Sequence, residues 1–215
     1  MFLGHFAVGF AAKTLTPRTS LGSLLLAAQF IDLLWPSLLL LGFESVRIAP
    51  GTTVVVPLDF EHYPWSHSLL AVAGWALLVG VCAYALKRDR RQAMVLAVLV
   101  LSHWVLDLVA HRPDLPLWPG GARFGLELWQ SLPATLLVEG GLFAAGVVLY
   151  QRASSAQDAT GRWAWPLLVL TLVAIYASSV FGPPPPDETS IAWAGQAQWL
   201  FVVWGYWLDR HRKAV

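Results

Sequence analysis

Six stretches of the chain are apolar for the length of a bilayer, and this restricts its fold more than any other feature. They are residues 20–41, 68–86, 92–110, 131–150, 163–182 and 190–208. A hydrocarbon core about 30 Å thick needs about 20 helical residues at about 1.5 Å each. Inside lipid every backbone amide and carbonyl must be bonded within the protein, which leaves helices or closed barrels. Continuous apolar runs of this length read as helices. The expected fold is an all-α, polytopic integral membrane protein with about six transmembrane helices, forming one domain over residues 1–215. Residues 1–12 are too short to span and are expected as an interfacial or re-entrant helix. Their basic residue follows the apolar stretch, unlike a signal peptide, so the first span is expected to act as the targeting signal. Composition agrees: 57% of residues are hydrophobic and 13% charged, with a mean hydropathy of +0.59. A soluble domain averages about 25% charged residues.

Six spans sort the connections into two sets. One set receives Lys13, Arg18, the 87–91 loop "KRDRR", Arg152, Arg162 and the tail Arg210, Arg212 and Lys213. The other receives only Arg47, Arg112 and Arg123. That split, eleven against three, accounts for all 14 basic residues. The positive-inside rule then puts both termini in the cytoplasm. Trp65, Trp118, Trp129 and Trp163 lie near span ends, as an interfacial aromatic belt requires. A net charge of +1 gives no basic field for nucleic acid. The single cysteine, Cys82, excludes an internal disulfide and a zinc ribbon. Two outer connections are long, 42–67 and 111–130. The first holds a β-prone "TTVVV" between Pro50 and Pro57, and "PPPP" at 183–186 is expected as a stiff polyproline turn.

The ionisable residues are unevenly placed on this topology. His62, His67, His103, Asp107 and His111 fall at outer span ends or in outer loops, and only His211 lies in the basic tail. Asp32 sits inside the first span and Glu139 inside the fourth, with His5 in the opening segment. A charge at the bilayer centre costs about 2.5–3.5 kcal/mol on insertion scales. No Lys or Arg lies within a span to offset it, so a bound cation is the natural counter-charge. In "SHWVLDLVAH", His103, Asp107 and His111 recur every four residues and form one helix stripe. Imidazole with carboxylate suits zinc, and also manganese or iron. Antiparallel second and third spans bring His67 and His103 to neighbouring outer ends.

Four segments in order, "GHFAVGFAAK", "LLAAQFIDLLWP", "HYPWSHSLL" and "LSHWVLDL", resemble the bacterial membrane-bound, metal-dependent hydrolase family of YdjM type. That family's pattern is an N-terminal His, a Pro-Asp-x-Asp-like segment, a His-Arg-x-x-Thr-His-Ser box and a His-x-x-x-Asp helix. The resemblance covers about residues 1–120. It implies His5, Asp32, His62, His67, His103 and Asp107 as metal ligands, to which the helix stripe adds His111. Gln29, Phe30 and Ile31 stand where a Pro and a first Asp are usual. Tyr63 replaces the Arg of the box, and Ser66 its Thr. The location implied is the bacterial inner membrane.

The function expected is metal-dependent hydrolysis with one or two divalent ions, zinc by ligand style, built mainly from residues 1–139. A carboxylate not used as ligand, Glu139 or Glu127, is the candidate general base. A site at the interface implies membrane lipid as surroundings and an amphiphile as substrate, a phospholipid or lipid-linked ester. Two other readings stay open: a metal-ion or proton pathway, which needs polar residues through the inner half, and a structural metal in a non-catalytic protein.

Overall fold

The structure is a computed structural model describing residues 1–215. Four of the expected spans are single helices: α5 (Leu69–Lys87), α6 (Arg90–Ala110), α7 (Leu132–Ala153) and α8 (Ala159–Phe181), numbered after the four earlier helices below. Each starts where a side chain takes up an orphan amide. Ser68 accepts from Ala71, Asp89 from Gln92, Ser131 from Ala134 and Asp158 from Gly161. In α5 only Val72 and Ala76 are buried, while Leu70, Leu77 and Leu86 are exposed. An apolar surface of that extent belongs against lipid.

The first expected span is bent rather than straight. It forms α2 (Leu21–Ala28) and α3 (Phe30–Leu40), which meet at Gln29 with a 56° bend and together are long and apolar enough for a fifth crossing. The sixth expected span is not one helix. It divides into α9 (Glu188–Gln196), packed on α3, and α10 (Trp199–Leu208), packed on α2. Neither piece has the length of a span. Gly195 backs onto Pro36, and Gly205 meets the Gly22 backbone, so small residues let these segments approach.

The opening segment is a helix, α1 (Phe2–Ala11), and most of it is buried within the protein instead of lying on a surface. It runs alongside α7: Leu3 lies against Glu139, Ala7 against Gly146 and Phe10 against Tyr150. A side chain at Gly146 would meet the Ala7 backbone at 2.5 Å, so glycine is required at this crossing. Phe6 and Phe10 also reach Phe201 and Trp165, joining α1, α7, α8 and α10 in one apolar cluster. A second cluster unites α2, α3, α5 and α6 with the outer loops.

Three two-stranded sheets supplement the helices. β1 (Ser45–Ile48) pairs with β2 (Leu58–His62), which leads into the short helix α4 (Pro64–His67). The "TTVVV" run between β1 and β2 is a turn rather than a strand, because the prolines that bound it place the pairing outside it. β3 (Leu115–Pro116) pairs with β4 (Arg123–Phe124). At the other end of the bundle, β5 (Ser154–Ala156) pairs with β6 (Arg212–Ala214). The basic residues follow this polarity. Arg47 and Arg112 bind Asp59, and Arg123 binds the Glu61 carbonyl, at the β1–β4 end. Lys13 reaches Asp209, and Arg212 reaches Ser154 and Gly161, at the opposite end.

Met1 lies beside Asp107, toward the end carrying residues 111–131, whereas the C-terminal strand lies at the other end.

Candidate metal centre

Four elements deliver one cluster of imidazoles and carboxylates. The break at Gln29 puts Asp32 in the first turn of α3, where the helix dipole favours an anion. It also leaves the carbonyl of Ala28, last residue of α2, without a helical partner. That carbonyl accepts from His103 Nδ1 at 3.2 Å, fixing the ring so that Nε2 faces the carboxylates. The i, i+4 spacing on α6 sets His103 Nε2 3.2 Å from Asp107 Oδ2. Asp32 Oδ1 is 3.5 Å away on the other side. His103 Nε2 is fully buried, yet its hydrogen-bond geometry to either carboxylate is not satisfied.

His67 closes the group. Its Nε2 lies 3.8 Å from both Asp32 Oδ1 and Asp107 Oδ2. Its Nδ1 is 2.7 Å from Ser66 Oγ, and that hydroxyl donates to Glu44 Oε2 at 2.6 Å. Ser66 Oγ therefore accepts the Nδ1 proton, which leaves the His67 Nε2 lone pair free toward the cluster. Glu44 Oε1 meanwhile accepts the Trp65 and Ser66 amides at 2.8 and 2.9 Å and so holds α4 in place.

His5 backs the cluster from α1. Its ring stacks on His103 with centroids 3.6 Å apart and planes within 4°. Its Nε2 is 3.1 Å from Asp107 Oδ1, the oxygen also paired with the Met1 amine at 2.5 Å. Asp107 is thus divided, with Oδ1 serving α1 and Oδ2 facing His103 and His67.

This arrangement fits a cation. Zinc holds nitrogen and carboxylate oxygen at about 2.1 Å, which in a tetrahedron separates the donors by about 3.4 Å. The spacings of 3.2, 3.5, 3.8 and 3.8 Å among His103, Asp107, Asp32 and His67 fall around that value. Two donor triads are compact, His5–His103–Asp107 and Asp32–His67–His103, each with its ligand atoms within 4.8 Å of one another.

The other sequence candidates lie outside this cluster. His62 is exposed on β2 opposite Ser45, because β2 turns its ring away before α4 begins. Glu127 is exposed too, where the chain adopts a left-handed turn ahead of Leu128–Gln130. Glu139 is buried, but its Oε2 accepts the Leu3 amide at 2.9 Å. Met1 supplies no side-chain cap for α1, so Glu139 of α7 does so instead. It is one layer behind the site and does not line the cavity in front of it.

His111 lies near the cluster but is not part of either triad. α6 ends at Ala110, so the stripe stops one residue short of it. Its Nδ1 pairs with Asp114 Oδ1 at 2.9 Å, and its ring packs between Phe60 and Trp129. Burial alone raises the Asp114 carboxyl, but hydrogen bonds from His111, Arg112 and Tyr63 hold it below the usual carboxylate range. Glu44 and Asp114, both important to this geometry, lie in the two long outer loops, where no spacing singles them out in the sequence.

A cavity of about 910 Å³ opens onto the cluster. Asp32, His67, Asp107 and His111 line one end, and 16 of its 24 lining residues are hydrophobic, with no Lys or Arg among them. Leu200 and Val203 of α10 line it and are themselves exposed. The cavity is therefore open along α10 rather than sealed.

No curated protein and no solved structure matches the chain. A family model described as YdjM inner membrane protein matches residues 1–183, which include every element of the cluster and cavity up to α8. The chain therefore belongs to the YdjM family of inner membrane proteins.

Proposed function

We propose that this chain is a membrane-embedded, metal-dependent hydrolase whose substrate is an amphiphile drawn from the surrounding bilayer. The observation that carries the reading is His103 Nε2. It is a fully buried nitrogen set between two carboxylates and hydrogen-bonded to neither, while its Nδ1 is anchored to Ala28. A buried acceptor left in that state is costly unless a cation completes it. His103, Asp107, Asp32 and His67 would hold the ion. Zinc is the metal best matched to two imidazoles and two carboxylates. Both compact triads use His103, and it has one free nitrogen, so the set suits one ion rather than two. His5 then orients Asp107 from behind.

Such an ion supplies an activated water near neutral pH and polarises the oxygen of the bond to be cleaved. The chain's residues do the rest. Ser66 and Glu44 hold the His67 ring, and Ala28 holds that of His103. The apolar wall accepts an acyl chain, and its opening along the exposed Leu200 and Val203 of α10 gives a lipid a lateral way in. The cavity has no Lys or Arg to bind an anionic group, and the Met1 amine at its wall is already paired with Asp107.

The test is metal analysis of detergent-purified protein, together with zinc-dependent hydrolysis of 4-nitrophenyl laurate in mixed micelles. The expected result is about one zinc per chain, with turnover abolished by chelation and restored by zinc. Full metal content in a His103→Ala, Asp107→Ala double variant refutes the reading.

A further inference from the structure

We infer that His111, held by Asp114, is the proton-transferring base of this site and not one of its metal ligands. The inference rests on the hydrolase reading above and assigns the base that Glu139 and Glu127 do not supply. Three observations carry it. His111 is 2% exposed overall but lines the cavity beside Asp32, His67 and Asp107. Its Nδ1 is 2.9 Å from Asp114 Oδ1, and Asp114 is itself fixed by Tyr63 Oη at 3.0 Å and Arg112 Nε at 3.0 Å. Asp114 thus accepts three hydrogen bonds and has no proton to give, so the proton between it and His111 belongs to Nδ1. Nε2 is left as a bare acceptor with no partner in the protein, and it keeps some exposure instead of being sealed in. Phe60 and Trp129, with ring centroids 4.8 and 4.5 Å from the imidazole, prevent it from turning away.

A carboxylate that fixes one imidazole nitrogen while the other faces a reaction space is the arrangement that makes histidine a general base. In the step assigned here, water attacks the ester carbon and Nε2 accepts the proton released as the new C–O bond forms. The ester C–O bond then breaks, and the same proton passes to the leaving oxygen. Water is added across the ester, and His111 ends as it began. Asp114 is a positioning residue, since it touches only His111, Arg112 and Tyr63.

The test uses full-length protein in detergent, labelled with 15N-histidine, with zinc and 4-nitrophenyl laurate as probes. Nitrogen spectra are expected to show His111 protonated on Nδ1, with Nε2 unmoved when zinc is added, while Nε2 of His67 and His103 shifts. A zinc-dependent shift at His111 Nε2 overturns the inference, because the residue is then a ligand. His111→Gln is expected to keep its zinc and lose about 10²–10⁴-fold in kcat. Imidazole added to His111→Ala should restore part of that turnover, which a purely structural role would not permit. Asp114→Asn should retain zinc and move the His111 proton to Nε2, providing a second variant if the first is unstable. Unchanged kcat in zinc-loaded His111→Gln overturns this inference and leaves the hydrolase reading intact. Zinc binding with no turnover in the unaltered protein removes both.

Discussion

Replacing Asp107 with Asn, alongside Ser66 with Ala, separates direct ligation from support. Asp107 Oδ2 lies 3.2 Å from His103 Nε2 and 3.8 Å from His67 Nε2, facing both proposed imidazole ligands. Asn preserves shape but offers a neutral donor and removes one negative charge from a fully buried group. Ser66 touches no ion position. It holds His67 Nδ1 at 2.7 Å, and Ala leaves that ring free to change tautomer and rotate. Loss of such a supporting partner typically weakens metal affinity by about 10–100-fold, or about 1.4–2.8 kcal/mol. Ser66→Ala should fall within that range and Asp107→Asn well beyond it. His62→Ala and Glu127→Gln, both exposed and outside the cluster, should leave affinity unchanged. The assay is zinc competition against a chelating dye on detergent-purified protein, with circular dichroism as a check on folding. Asp107 also neutralises the Met1 amine, so some stability is lost with it, and affinity is compared only for variants that keep their helix content. Asp107→Asn binding zinc as well as Ser66→Ala would refute the assignment of Asp107 to the ion.

Gly146→Leu should force α1 away from α7, since even a Cβ there would meet the Ala7 backbone at 2.5 Å; zinc affinity and thermal stability should both fall, with His5 fluctuating more in NMR. Glu139→Gln keeps one acceptor for the Leu3 amide but loses the charge at the α1 N-terminus. It should lower stability by about 0.3–2 kcal/mol, the range for a charge at a helix end, and retain both metal and turnover; loss of turnover with metal retained would reinstate Glu139 as the base. A cysteine placed near Gly120 should react with impermeant reagents from outside the cell, and one in the 87–91 loop should be shielded, because the basic residues divide between those two ends. The opposite labelling pattern would invert the topology.

What could be read from sequence was what depends on local periodicity. Residues 68–86, 92–110, 131–150 and 163–182 announce themselves as spans because twenty apolar residues in a row leave the backbone few alternatives, and the observed helices α5–α8 begin and end within four residues of those bounds. The His103–Asp107 pair was equally legible, since i, i+4 on a helix fixes a shared face whatever surrounds it. The misses have a different origin. Nothing in "AAQFIDLLWP" distinguishes a bent pair from a straight span, because the 56° bend at Gln29 is stabilised from outside, by His103 taking the Ala28 carbonyl. The same bend turns Asp32 from an isolated intramembrane charge into a helix-N-terminal one, which lowers its cost and sets it beside His103 and His67. Glu139 misled for a related reason. A buried carboxylate in a span signals a partner without saying which, and here the partner is the backbone of a helix more than 130 residues earlier in the chain. His62 and His111 show the limit of counting histidines. His62 ends β2 two residues before α4 begins and points outward, while His111 continues a helical stripe one residue beyond α6. Spacing nominates donors, but tertiary contacts decide which of them face one another. At this site those contacts are made by Ser66 of α4 with Glu44, by Asp114 and by the Ala28 carbonyl, which determine the nitrogen that His67, His111 and His103 respectively have free.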